Sequence, residues 1–289
     1  MLVILGPTAS GKTQLAVQLA QQLIHGGQAA EIISADSRQV YRGMDIGTGK
    51  DLAEYTIDGQ FIPYHLIDIV EAGDDYNVFR YQQDFDRVME EVRSRHAVPI
   101  LCGGSGMYIE AALRPDAMLA IPPNEPLRTE LEALNDEQLH ARFEQTPSGH
   151  SARADTSTRK RLIRAIEIGT YLNENPGLLP TQRPPLPAYR VIGLDPPVNV
   201  RRERISQRLR NRLQYGLVEE VEHLLNQGIP AEKLIYYGLE YKYVTQYVLG
   251  QLTYLEMVAQ LETAIHQFAK RQMTYFRKME RDGLAIDWQ

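Results

Sequence analysis

Cysteine is nearly absent from this 289-residue chain: Cys102 stands alone. A single thiol can form neither an internal disulfide nor a CxxC metal site, which excludes a disulfide scaffold and a zinc ribbon. Long apolar runs are also missing. No stretch approaches the roughly 20 residues that cross a bilayer as a helix. The opening stretch, MLVILGPTASGK, has neither the basic n-region nor the small-residue cleavage site of a signal peptide. The expectation is a cytoplasmic protein with no membrane partner. No internal repeat is present, so the chain is not a solenoid.

Basic charge is scarce overall and unevenly spread. The net charge is -6, which speaks against a nucleic-acid partner. Yet residues 151–164, 183–212 and 268–281 hold 18 of the 31 Lys/Arg residues and only 4 of the 37 acids. If these segments converge, they make a basic face on an acidic body; if not, they are three solvated helix faces.

What is present is an alternation of strand and helix patterns. Residues 1–5, Glu31–Ala35, His65–Ile69 and Val98–Cys102 read as strands. Lys12 to about Ile24, Tyr76–Arg95 and a segment from Gly106 read as helices. This order implies a parallel sheet flanked by helices, a P-loop NTPase-like α/β core. The pattern changes at Ile121. Helical segments over Leu127–Phe143, with Asn124 as cap, and Ser157–Leu172 follow with no strand between them. A proline-rich stretch, residues 178–188, then leads to a strand at Tyr189–Leu194. The expected organisation is a first core part (1–120), a small all-helical insertion (121–178) and a second core part (179–289). That second part carries helices from about Val200 to Asn226 and Tyr254 to Glu280, then an edge strand at Leu284–Trp288.

The strongest local signal is Gly6-Pro7-Thr8-Ala9-Ser10-Gly11-Lys12-Thr13. It matches G-x-x-x-x-G-K-[ST] between a strand and a helix, the context that a polyphosphate loop requires. Backbone N–H groups curl around an anion, Lys12 adds a full charge and Thr13 a hydroxyl for Mg²⁺. A second glycine loop, Gly103-Gly104-Ser105-Gly106, follows VPILC. Ser105 there can donate to a substrate or cap the next helix. That strand lacks the terminal acid that organises Mg²⁺ in nucleotide-hydrolysing P-loop proteins, which counts against an ATPase or an ordinary kinase. The third signal is SADSRQVY, residues 34–41. Asp36 stands at a strand's C-terminal end, where open parallel sheets bind ligands. A metal ligand or a catalytic base are its two readings, and Asp68 in HLIDI competes for both.

Taken together, GPTASGKT, SADSRQVYRGMDIGTGK, HLIDI and GGSGMY resemble the tRNA dimethylallyltransferases, or isopentenyltransferases. Arg161–Glu167 (RLIRAIE), Tyr215–Val221 (YGLVEEV) and Ala269–Arg277 (AKRQMTYFR) extend the resemblance over nearly the whole chain. The resemblance implies transfer of a dimethylallyl group from dimethylallyl diphosphate to the exocyclic amine of the adenosine 3′ of the tRNA anticodon. The loop Gly6–Thr13 would then hold the donor's diphosphate. Lys12 and Mg²⁺ at Thr13 would stabilise the leaving group, Asp36 would act as general base, and Ser105 would touch substrate near the reacting atoms. By the same resemblance Asp36, Ser37, Arg38, Gln39, Ser105, Arg128 and Lys160, Arg161, Leu162, Ile163, Arg164 contact the anticodon stem-loop. The enzyme would act as a monomer. The family's G-Y-[KR]-[EQ] element is altered here to Gly238-Leu239-Glu240, with Lys242 supplying the base two residues later. A prenyltransferase acting on free AMP, ADP or ATP shares the donor site, and a P-loop small-molecule kinase is the more distant alternative.

Overall fold

The computed structural model describes residues 1–114, 117–176 and 186–289. Two compact units emerge, Met1–Arg114 with Leu186–Gln289, and Pro115–Pro185. In chain order the elements are β1 (Leu2–Leu5), α1 (Lys12–His25), β2 (Ala30–Ser34), β3 (Thr56–Ile57), β4 (Gln60–Phe61), β5 (Tyr64–His65), α2 (Val78–Ser94), β6 (Val98–Gly103), α3 (Gly106–Leu113), α4 (Glu125–Glu132), α5 (Asp136–Glu144), α6 (Arg159–Glu174), β7 (Arg190–Gly193), α7 (Val198–Gln214), α8 (Leu217–Asn226), α9 (Ala231–Tyr237), α10 (Leu239–Val248), α11 (Tyr254–Arg281) and β8 (Asp287–Trp288). No helix among the described residues is long and apolar enough to cross a membrane.

The larger unit is built on a six-stranded sheet in the order β5-β2-β6-β1-β7-β8, with every pairing parallel. Its central strands are apolar on both faces, and Val3, Ile4, Leu5, Ile32, Ile33, Ile100 and Leu101 are fully buried. Such continuous apolar runs are what a parallel sheet covered on both sides demands. One face packs on α1 through Ala16, Val17 and Ala20; the other meets α2, α3 and the C-terminal helices. Register places Leu5 beside Gly103 and Ser34 beside Cys102, so β1, β6 and β2 end level with one another. The loops after these three strands are the glycine loop 6–13, the stretch 103–105 and SADS.

The smaller unit holds α4, α5 and α6 around Leu127, Leu131, Leu139, Leu162, Ile163 and Ile166. The prolines of the stretch 178–188 lie largely outside the described residues.

Several elements differ from the sequence pattern. His65–Ile69 does not continue as a strand: only Tyr64 and His65 pair with β2. Leu66 (φ 61°) and Asp68 (φ 55°) adopt left-handed backbone, which turns the chain out of the sheet. The helix expected over Leu127–Phe143 is two helices. Asn135 and Gln138 form a reciprocal capping box that starts the second. The long helix from Val200 to Asn226 likewise breaks at Gly216, whose φ of 106° ends α7 and opens α8. The short aromatic-rich α9 and α10 carry too few turns for a clear 3.6-residue period.

Candidate active site

The glycine loop wraps the N-terminus of α1. Ala9 (φ 59°) and Gly11 (φ 91°) supply its left-handed turns. Gly6 and Pro7 shape the loop without lining a cavity; the Lys12 ammonium reaches back to the Pro7 carbonyl at 2.7 Å. Burial lowers the Lys12 pKa to about 8. The Ser10 hydroxyl is buried and has no protein partner among the described residues.

Two cavities meet at this loop. The larger, about 880 Å³, is lined by Ala9 to Gln14 on one side and by Arg204, Arg208, Arg212 and Tyr215 of α7 and its end on the other. The smaller, about 400 Å³, is lined by Thr8, Asp36 to Gln39, Gly103 to Ser105, and by apolar Ile235, Leu239, Ile265 and Phe268. Lys12, Thr13, Arg208 and Arg212 belong to both. A strongly cationic throat therefore joins a wide, open mouth to a narrower chamber.

Asp36 sits in the chamber, two residues past β2. Its Oδ1 accepts the Arg38 amide at 2.9 Å. The other oxygen makes no hydrogen bond among the described residues, so it is free to accept a proton. Ser105 stands at the N-cap position of α3 yet makes no side-chain cap bond. Its Oγ instead accepts the Ser37 amide at 3.0 Å and donates to the Ser37 hydroxyl at 3.2 Å. The hydroxyl thus ties the glycine loop after β6 to the loop that carries Asp36. Gln39 is spent internally, accepting from the Ser34 hydroxyl and donating to the Gly49 carbonyl. Arg38 lies over the ring of Tyr236, which is 66% exposed, and donates to that residue's carbonyl.

Asp68 is removed from competition with Asp36. It forms an ion pair with Lys50, whose side chain is buried and which also bonds Asp45 at 2.5 Å. The strand-end position equivalent to a Walker acid is held by Cys102, buried beside Lys12 with its thiol pushed up to about 12.

Three further residues of the site were given no role there by the sequence. Gln272 of α11 accepts the Thr8 amide at 2.8 Å and donates to the Gly104 carbonyl at 2.8 Å, clamping the two glycine loops together. Arg208 and Arg212 supply most of the throat's charge. The basic run in α7 was their only signal, and nothing in it distinguishes them from the exposed Arg202 and Arg210.

In the smaller unit the residues expected to contact RNA divide by burial, and the side chains of Leu162 and Ile163 do not fit that expectation. Leu162 and Ile163 are 2% and 6% exposed and form the unit's apolar core, so their side chains hold α6 in place. Arg164 donates to the Ile121 carbonyl at 2.6 Å, and Arg128 pairs with fully buried Glu167 at 2.8 Å. Both side chains nonetheless stay partly exposed, 34% for Arg128 and 29% for Arg164. Lys160 and Arg161 are exposed. Of the three basic segments, α7 and α11 do meet: Arg201 and Arg277 share Asp195.

The sequence model of the IPP transferase family matches residues 39–279. A protein of Porphyromonas gingivalis named tRNA dimethylallyltransferase 2 is 53% identical over 288 residues, spanning 100% of this chain and 93% of that protein. One from Geotalea uraniireducens, named tRNA dimethylallyltransferase 1, is 48% identical over 291 residues and spans 100% and 91%. The crystal structure of the full-length tRNA isopentenylpyrophosphate transferase of Bacillus halodurans superimposes with a TM-score of 0.70. It is 32% identical and covers 100% of this chain and 88% of the other.

Proposed function

The chain belongs to the IPP transferase family, and on that premise we propose that it is a tRNA dimethylallyltransferase. It moves the dimethylallyl group of dimethylallyl diphosphate to the exocyclic amine of the adenosine 3′ of the anticodon. One observation carries the reading: a free carboxylate oxygen on Asp36 faces the same chamber that opens onto the cationic throat.

The donor's diphosphate lies in the throat and its five-carbon group in the chamber against Ile265, Phe268 and Leu239. The adenine enters the chamber from the RNA side, extruded from its stack as base chemistry requires. The C–O bond to diphosphate breaks as the amine nitrogen bonds to the allylic carbon. Negative charge then grows on the leaving oxygen, and Lys12, Arg208, Arg212 and the loop amides stabilise it. The attacking amine becomes acidic as it bonds, and Asp36 takes its proton.

Mg²⁺ suits this donor set. It binds through few protein oxygens, phosphates and water, and Thr13 with the partnerless Ser10 hydroxyl offers that chemistry at the loop. The ion would neutralise diphosphate charge. No group of three His, Cys, Asp or Glu residues able to hold a metal occurs among the described residues. The single cysteine and the RNA acceptor support a cytoplasmic setting.

An acceptor comparison tests the reading. With labelled donor, unmodified tRNA becomes labelled while free AMP, ADP and ATP do not; the reverse pattern overturns it.

A further inference from the structure

Residues 45–50 form the partition between the two cavities. Asp45, Ile46 and Lys50 line the larger, and Gly47, Thr48 and Gly49 the smaller. The partition contains no helix or strand; the Gly49 and Lys50 amides turn back onto the Asp45 carbonyl, and the amides before them need partners from elsewhere. Three consecutive amides find the same one. The N–H groups of Asp45 and Ile46 donate to Glu220 Oε2 at 2.8 and 2.7 Å, and that of Gly47 to Oε1 at 2.9 Å. The Tyr241 hydroxyl donates to Oε1 at 2.7 Å. Successive amides converging on an anion form a nest, and here the anion is a side chain of α8. Tyr241 also packs so tightly on the loop that a Cβ at Gly47 would lie 2.5 Å from its ring.

With three amides turned toward Glu220, the partition presents the Gly47 and Gly49 carbonyls to the two arginines. The Gly47 carbonyl accepts from Arg212 at 3.4 Å, and the Gly49 carbonyl accepts from Arg208 at 3.3 Å and Gln39 at 3.0 Å. These are the two arginines common to both cavities. Glu240 holds Arg212 from the far side at 3.1 Å, and Asp51 pairs with Arg208.

We propose that Glu220, seconded by Tyr241, is a positioning residue for the diphosphate end of the reaction. It lines neither cavity. It fixes the partition, and the partition's carbonyls aim Arg208 and Arg212 into the throat. The inference rests on the prenyl-transfer reading only for the identity of the anion. Removing the carboxylate orphans up to three amides, and a loop with orphaned amides relaxes toward water and takes its carbonyls with it. A purely structural role predicts something different, a loss of stability with anion affinity intact.

The test uses inorganic diphosphate with Mg²⁺ as the probe, titrated calorimetrically into the full-length wild type, Glu220→Gln and Tyr241→Phe. Tm, donor KM and tRNA affinity are measured beside it. Glu220→Gln keeps the size and removes the charge. It is expected to weaken diphosphate binding roughly tenfold and raise donor KM in parallel, with tRNA affinity changed less than about twofold. Tyr241→Phe, losing one bond of four, shifts diphosphate binding roughly two- to threefold in the same direction. Unchanged diphosphate affinity in both variants, with or without a fall in Tm, overturns the proposal. If Glu220→Gln does not fold, Tyr241→Phe decides alone by the same criterion. A wild type that binds diphosphate but transfers nothing to tRNA sinks the functional reading and leaves the positioning role standing.

Discussion

At the scale of single residues, the chemistry depends on which groups are free and which are spent. Among the described residues Asp36 keeps one oxygen free, Gln39 is spent, and Ser105 is spent on Ser37. Ser105→Ala therefore leaves the Ser37 amide without its acceptor and loosens the Asp36 loop. Its kcat should fall roughly tenfold, and Ser105→Thr, which keeps the hydroxyl, should restore most of it. Steady-state kinetics of the two variants check this. Lys12 makes a pH prediction. Its pKa is lowered to about 8 by burial, so the free enzyme loses this charge as pH rises through that value. The donor's kcat/KM should fall above about pH 8, while kcat shifts less, because bound diphosphate holds the proton on Lys12. Much of this was legible in sequence, since Lys12, Asp36 and Ser105 sit in short motifs tied to strand ends. What pattern could not reveal is partnering. That Asp68 is neutralised by Lys50, or that Ser105 braces Ser37 instead of capping its helix, depends on contacts between residues far apart in the chain.

At the scale of elements, the site is a junction of loops after β1, β2 and β6, clamped by a helix from the far end of the sequence. Gln272 closes that clamp with two hydrogen bonds in a nearly dry setting. Gln272→Leu orphans the Thr8 amide and the Gly104 carbonyl, costing about 2–4 kcal/mol, so both Tm and donor affinity should drop. In the smaller unit, Arg128→Ala strips buried Glu167 of its closest cation. Arg164 at 3.4 Å and the Asn124 amide at 2.7 Å remain. The cost should sit at the low end for a broken buried pair, about 3 kcal/mol, and appear in thermal unfolding. The sheet and most helices were legible because their apolar residues recur at one period for several turns. The breaks at Asn135 and Gly216 were not. There the apolar pattern runs on across the junction, and only cap geometry ends the helix. Gln272 was in view as part of a motif, but its role exists only once α11 lies against the glycine loops.

At the scale of the whole molecule, an acidic chain gathers Lys12, Arg208 and Arg212 where two cavities meet. Arg208 and Arg212 line both cavities, while Arg38, Tyr236 and Lys242 line the smaller one, which the proposed reading gives to the prenyl group and the adenine. Contacts to RNA phosphates release counterions, so the KM for tRNA should rise steeply with salt, and that for a free nucleotide far less. The most direct measurement is the fate of label from dimethylallyl diphosphate. Unmodified tRNA is incubated with the wild type and with Asp36→Asn, and the labelled nucleoside is located by digestion and mass spectrometry. The account predicts label on the adenosine 3′ of the anticodon, delivered on the order of 10² times more slowly by Asp36→Asn, with tRNA binding retained. Label at another nucleoside, or undiminished transfer by Asp36→Asn, would contradict it.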